Sequence, residues 1–166
     1  TYNGDHMSMY GVNASIPKTL IRWMIAAIAD SEEFAPAKAV LEDILDTPIS
    51  PELLPPDESG KISQYTEDLV GPYALHDFFL YYMLRFGFAP RKIFTLACRA
   101  FEGDFDRETV KKWLKAFYRR FFTQQFKRSC LPDGVKVGSV CLSPRGDWRM
   151  PSDAVGRIWL QEVEQL

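Results

Sequence analysis

Apolar positions recur at helical spacing along most of the chain. Leu20, Trp23, Met24, Ala27 and Ile28 follow Ser15, Ile16 and Pro17, so a capping hydroxyl and a first-turn proline open a helix predicted to run to about residue 30. Val40, Leu41, Ile44 and Leu45 mark a second, shorter helix over 36–45. Residues 46–65 carry Pro48, Pro51, Pro55, Pro56 and Gly60, too many breakers for a regular element, and predict a long loop. Pro72 then opens a strongly aromatic helix over 73–86 that stops at Gly87. Its Phe78, Phe79, Tyr82, Met83 and Phe86 read as packed core rather than a ligand box. Pro90 opens the next helix, to about Ala100, with Gly103 close behind.

The clearest helix starts at a cap on Asp106 and runs to about Arg128. Val110, Trp113, Leu114, Phe117, Phe121 and Phe122 make its apolar face, and Lys111, Lys112, Lys115, Arg119 and Arg120 crowd the other side. Residues 130–152 contain Pro132, Gly134, Gly138, Pro144, Gly146 and Pro151, which predicts an extended loop with one short strand at 135–142. Ser152 or Asp153 is expected to cap a last helix. The pattern is that of a mainly α chain with few short strands, without internal repeats.

Composition narrows the class. The 166 residues are 46% hydrophobic and 14% aromatic, enough to bury a core, which excludes disorder for most of the chain. The longest apolar stretch, 20–29, is interrupted by Arg22 and is too short to span a membrane. Cys98, Cys130 and Cys141 are an odd count without CxxC spacing, and His6 and His76 sit in no HExxH, so no metal site is expected and a reducing, cytoplasmic setting is the default. The chain begins at Thr1 without signal-peptide features and reads as the interior of a longer protein. Charge is uneven: residues 1–106 hold 8 Lys/Arg against 16 Asp/Glu, and residues 107–166 hold 12 against 6. An anionic ligand would find its field at the C-terminal end.

Local chemistry offers three candidate regions. Cations and aromatics between 111 and 128 lie on different helix faces, which fits a solvated face over a core better than a nucleic-acid surface. Lys127 and Arg128 stand apart, since they end the helix and lead into the glycine-rich loop. In that loop Lys136, Arg145, Asp147 and Arg149 suit either an anion site or internal Arg–Asp pinning, and sequence does not choose between them. Near the start, Asp5 ends an expected strand and Lys18 falls in the first turn of the following helix, where the dipole disfavours a cation unless phosphate lies nearby. Asp5 as a turn-former and Lys18 as a solvated side chain explain the same residues. The Asn13-Ala14-Ser15 sequon is read as chance.

Three stretches carry a resemblance: TYNGDHMSMYGVNASIPKTLIR at 1–22, VGPYALHDFFLYYMLRFGFAPRKI at 70–93 and YRRFFTQQFKRSCLPDGVKVGSVCLSPRGDWRMPSDA at 118–154. Together they resemble the C-terminal part of a bacterial glutamine-dependent NAD+ synthetase. The resemblance implies a Rossmann-like α/β parent domain of the adenine nucleotide α-hydrolase kind, joined in the complete enzyme to an N-terminal nitrilase-like glutaminase domain. It implies that ATP adenylates the nicotinate carboxylate of deamido-NAD+, releasing pyrophosphate, and that ammonia from glutamine then displaces AMP. Activation is needed because a bare carboxylate would have to expel oxide.

Carried over residue by residue, the resemblance puts Thr1, Tyr2, Asp5 and Lys127 at deamido-NAD+, and Lys18 and Ser50 at ATP. Ser50 stands where many members have threonine. No catalytic residue is assigned. The SGGxDS pyrophosphate loop, the acidic Mg2+ ligands and the LSELALG segment are expected upstream of Thr1, and no glutaminase Glu-Lys-Cys set is present. The chain is therefore expected to be a fragment, inactive alone, of a homo-oligomeric enzyme that binds neither nucleic acid nor membrane. The alternative is a non-catalytic helical interaction module that holds an acidic partner through its basic C-terminal region.

Overall fold

The computed structural model describes residues 10–47 and 70–166. Two compact units form, Thr1–Ile16 with Leu75–Leu166, and Pro17–Ala74. The described residues form helices and irregular segments, with no strand among them.

In the smaller unit, helix α1 (Lys18–Ala29) leads through a 3-10 turn (Glu32–Ala37) into α2 (Lys38–Asp46). The two α-helices pack on each other. Lys38 Nζ lies 2.7 Å from Asp30 Oδ1 and 3.8 Å from Glu42 Oε1, and the hydrogen bond to Asp30 raises the lysine pKa. The second helix starts later than its sequence pattern implies, because Pro36 falls inside the 3-10 turn. Over residues 18–46 only Ala29 is buried; Trp23 and Val40 remain 74% and 62% exposed.

The larger unit holds the main core. Its helices are α3 (Tyr73–Phe86, whose first two residues precede the unit), α4 (Pro90–Ala100), α5 (Arg107–Thr123), α6 (Gln125–Ser129) and α7 (Arg157–Glu164). α5 is the spine: Val110, Leu114, Phe117, Tyr118, Phe121 and Phe122 are buried along it. They meet Leu75, Phe79 and Met83 of α3, Ile93, Phe94 and Ala97 of α4, and Val163 of α7. Aromatic rings pack at tilted angles, with Phe79 and Phe117 at 5.7 Å, and Phe122 and Trp159 at 4.8 Å between ring centres. The expected core of α3 is half right. Phe79 and Met83 are buried, Phe78 and Tyr82 pack at the edge, and Phe86, in the last turn, is 51% exposed.

Helix ends follow local chemistry where it is unambiguous. Asp106 caps α5, accepting from the Thr109 N–H at 2.6 Å. Gly87 takes φ 65° immediately after α3, the left-handed stop the sequence predicts.

Elsewhere tertiary contacts override the pattern. Ser15 does not cap α1; its hydroxyl instead accepts from the Val137 and Gly138 N–H groups, both at 2.8 Å, and Pro17 occupies the cap position. Ser152 and Asp153 do not cap α7. The chain turns first, and the helix begins after Gly156, where a Cβ would stand 2.5 Å from the Phe122 ring. The helix expected to reach Arg128 breaks at Gln124, with φ −111° and ψ 22°, and resumes as α6. The strand expected at 135–142 is absent, because that stretch hydrogen-bonds to a serine hydroxyl rather than to a partner ladder.

Candidate functional site

Four of the six expected site residues, Thr1, Tyr2, Asp5 and Ser50, lie outside the described residues. Lys18 and Lys127 are described, and they belong to different units. Lys18 is exposed at the first position of α1, a first turn with no acidic residue. Peptide N–H groups with no helical partner and an ammonium thus share one end, a combination suited to phosphate oxygens.

Lys127 sits on α6, a one-turn helix placed by its neighbours. Gln125, 2% exposed, donates from Nε2 to the Met150 carbonyl at 3.1 Å and accepts at Oε1 from Arg128 Nε at 2.7 Å. Arg128 also donates to the Phe121 carbonyl and lies over the Phe121 ring at 4.3 Å. Burial lowers the Arg128 pKa. The Lys127 side chain is exposed on the remaining face.

The loop beyond α6 wraps residues 10–16. The Gly11 N–H donates to the Asp133 carbonyl at 2.6 Å, and Ser15, at φ 69°, receives the two amides described above. A Cβ on Gly134 would stand 2.2 Å from the Gly11 oxygen, and one on Gly138 2.6 Å from the Ser15 oxygen. Backbone can come this close only where no side chain intervenes. The loop's own charges pair internally: Lys136 with Asp147, and Arg145 with Asp133 and the Leu131 carbonyl. Internal pinning, one of the two readings the sequence left open, is what the geometry supports for Lys136, Arg145 and Asp147. Arg149 is exposed.

The basic face of α5 is also partly engaged. Lys111 donates to the Leu166 carbonyl at 2.8 Å, and Lys115 lies 2.7 Å from Glu164, whose carboxyl that hydrogen bond holds below its ordinary pKa. Lys112 rests over the Trp113 ring at 4.5 Å. A separate open cleft of about 640 Å³ is lined by Arg119, Thr123, Asp153, Arg157 and Glu164 among others, none of them an expected site residue. Among the described residues no group of three His, Cys, Asp or Glu side chains could hold a metal ion, and no helix is long and apolar enough to cross a membrane.

Sequence reasoning missed Gln125 as a structural centre and misassigned Ser15. A glutamine beside another polar residue carries no signal of burial. The lone signal for the region is QQFKR itself, at 124–128, where a helix pattern meets a glycine-rich loop.

The fold of the described residues is that of part of a known enzyme. The crystal structure of a glutamine-dependent NAD(+) synthetase from Cytophaga hutchinsonii matches with a TM-score of 0.68 at 19% identity, over 99% of this chain and 24% of that one. In sequence, the chain is 44% identical over 184 aligned positions to the glutamine-dependent NAD(+) synthetase of Mycobacterium leprae, and 42% identical over 181 to that of Mycobacterium tuberculosis. Each alignment covers 98% of this chain and 26% of the relative, so the chain spans about a quarter of the length of the proteins it matches. No protein-family model matches. The chain is thus related by sequence to the glutamine-dependent NAD(+) synthetases, as the three stretches imply.

Proposed function

We propose that this chain is the C-terminal part of the amide-forming domain of a glutamine-dependent NAD+ synthetase. In this reading the whole enzyme converts deamido-NAD+ to NAD+: ATP adenylates the nicotinate carboxylate, pyrophosphate leaves, and ammonia from a glutaminase domain displaces AMP. The observation that carries it is the 44% identity sustained over 98% of the chain. Thr1, Tyr2, Asp5 and Lys127 would contact deamido-NAD+, and Lys18 and Ser50 would contact ATP. An ammonium at a helix N-terminus suits Lys18 to a triphosphate. A pinned one-turn helix with an exposed lysine suits Lys127 to a dinucleotide phosphate or carboxylate.

In the same reading the magnesium ligands, the pyrophosphate loop and most of a Rossmann-like sheet belong to other parts of the synthetase; among the described residues no group of three His, Cys, Asp or Glu side chains could hold the ion. Homo-oligomeric assembly and a cytoplasmic setting, where ATP and dinucleotides reside, belong to the same reading. The interaction-module alternative has less support, because Lys111 and Lys115 are engaged with the C-terminal end of the chain.

The test is the complete protein supplied with deamido-NAD+, ATP, Mg2+ and glutamine. The expected products are NAD+, AMP and pyrophosphate in equal amounts. Release of ADP and phosphate, or no amide at all, would overturn the reading.

A further inference from the structure

A helix of one turn cannot hold its shape on local bonds alone. Whatever aims the Lys127 ammonium must therefore come from what pins α6 to the rest of its unit. Gln125 is a buried amide side chain, 2% exposed. It ties α6 to the Met150 carbonyl at 3.1 Å and receives Arg128 Nε at 2.7 Å. Arg128 reaches back across the break at Gln124, binding the Phe121 carbonyl at the end of α5 and covering the Phe121 ring. Trp148 meets the same ring at 5.4 Å, so the loop and both helices converge there. Residues 125 and 128 share a face of the helix, and residue 127 is about 200° round from 125, which turns its side chain outward.

We infer that Gln125 and Arg128 are positioning residues for Lys127, locking the turn that presents its ammonium to deamido-NAD+. The inference rests on the role proposed above for Lys127. Two Arg128 donors point inward at Gln125 and Phe121, so Arg128 acts through the lysine rather than on the substrate. A lysine at 128 would keep the charge but could not make the fork-shaped double contact or the flat stack on Phe121.

The experiment is a double-mutant cycle in the complete synthetase with Lys127→Ala, Arg128→Lys and both together. It reads KM for deamido-NAD+, KM for ATP, kcat and Tm. Arg128→Lys should raise KM for deamido-NAD+ about tenfold, as loss of a charge-assisted bond implies, and leave KM for ATP within about twofold. In the Lys127→Ala background the same change should add less than about twofold to KM, because coupled residues are not additive. Equal factors in both backgrounds, or a fall in Tm with KM unchanged, would overturn the inference and leave Arg128 merely structural. Should Arg128→Lys fail to fold, Gln125→Met, which removes both of its hydrogen bonds at similar volume, enters the same cycle with the same expectations. A wild-type KM in Lys127→Ala alone would overturn the substrate role of the lysine itself, and is thereby distinguished from failure of the lock.

Discussion

Lys127 and Lys115 look alike along the sequence, two lysines on one basic stretch, yet their surroundings differ. Lys115 is tied to Glu164 at 2.7 Å, whereas Lys127 ends a pinned turn with its side chain exposed. If Lys127 meets deamido-NAD+, Lys127→Ala in the complete enzyme should weaken dinucleotide binding about ten- to a hundredfold, the worth of a charge-assisted hydrogen bond. Lys112→Ala, which loses the same charge from an exposed position over Trp113, is the matched control and should change KM less than about twofold. Steady-state kinetics with varied deamido-NAD+ checks both. A second residue-scale effect concerns pH. The Thr109 N–H holds the Asp106 carboxyl below its ordinary pKa, so the stabilisation is present above the unfolded carboxylate range of about 3.9 and is lost as pH falls through the folded value. Asp106→Asn keeps an acceptor at the cap but does not titrate. Thermal melts from about pH 7 to pH 3 should show the stability gap between wild type and variant closing on the acid side.

At the scale of elements, the loop after α6 and the segment before α1 behave as one piece. Gly134 and Gly138 permit backbone contact with Gly11 and Ser15, and the Ser15 hydroxyl satisfies two loop amides. Gly134→Ala should therefore force the two strands of chain apart, at the roughly 1–3 kcal/mol typical of overpacking. Gly146→Ala, where a Cβ meets nothing within 4 Å, should be near neutral. Urea unfolding measures the difference, and limited proteolysis should find the 130–140 region cleaved faster in Gly134→Ala alone. Most helix bodies were legible in the sequence: α3 and α4 fall between the proline that opens each and the glycine that follows, and the body of α5 falls where its apolar spacing puts it. Their boundaries were legible only where a single local cause acts, as at Asp106 and Gly87. Ser15, Ser152 and Asp153 all have capping chemistry and none of them caps, because a contact distant in sequence claims the first and the packing of Gly156 on Phe122 delays the helix beyond the other two.

For the whole molecule, the relevant fact is that the chain matches about a quarter of each relative. In the proposed reading the phosphates of ATP are oriented by residues outside these 166, and preorganised donors of that kind supply several kcal/mol of barrier lowering. The 166-residue chain alone, given ATP, Mg2+, ammonia and deamido-NAD+, is therefore expected to make no NAD+. Chromatographic detection of the dinucleotide over hours checks this, and measurable turnover would show that the chain holds a complete site.

Sequence by itself determined most of the helix bodies, the aromatic core of α5 and the relationship to the synthetases, since patterning and extended motifs are properties of the chain read in order. It also picked out Lys127 and Arg128 as standing apart from the solvated basic face. Only the tertiary structure decided that Gln125 is buried, that Arg145 and Asp133 pair with each other, and that Ser15 holds a loop more than a hundred residues away. The physical reason is common to all three. A polar side chain has several partners available at similar free energy, and which one it takes depends on which groups packing has removed from water beside it.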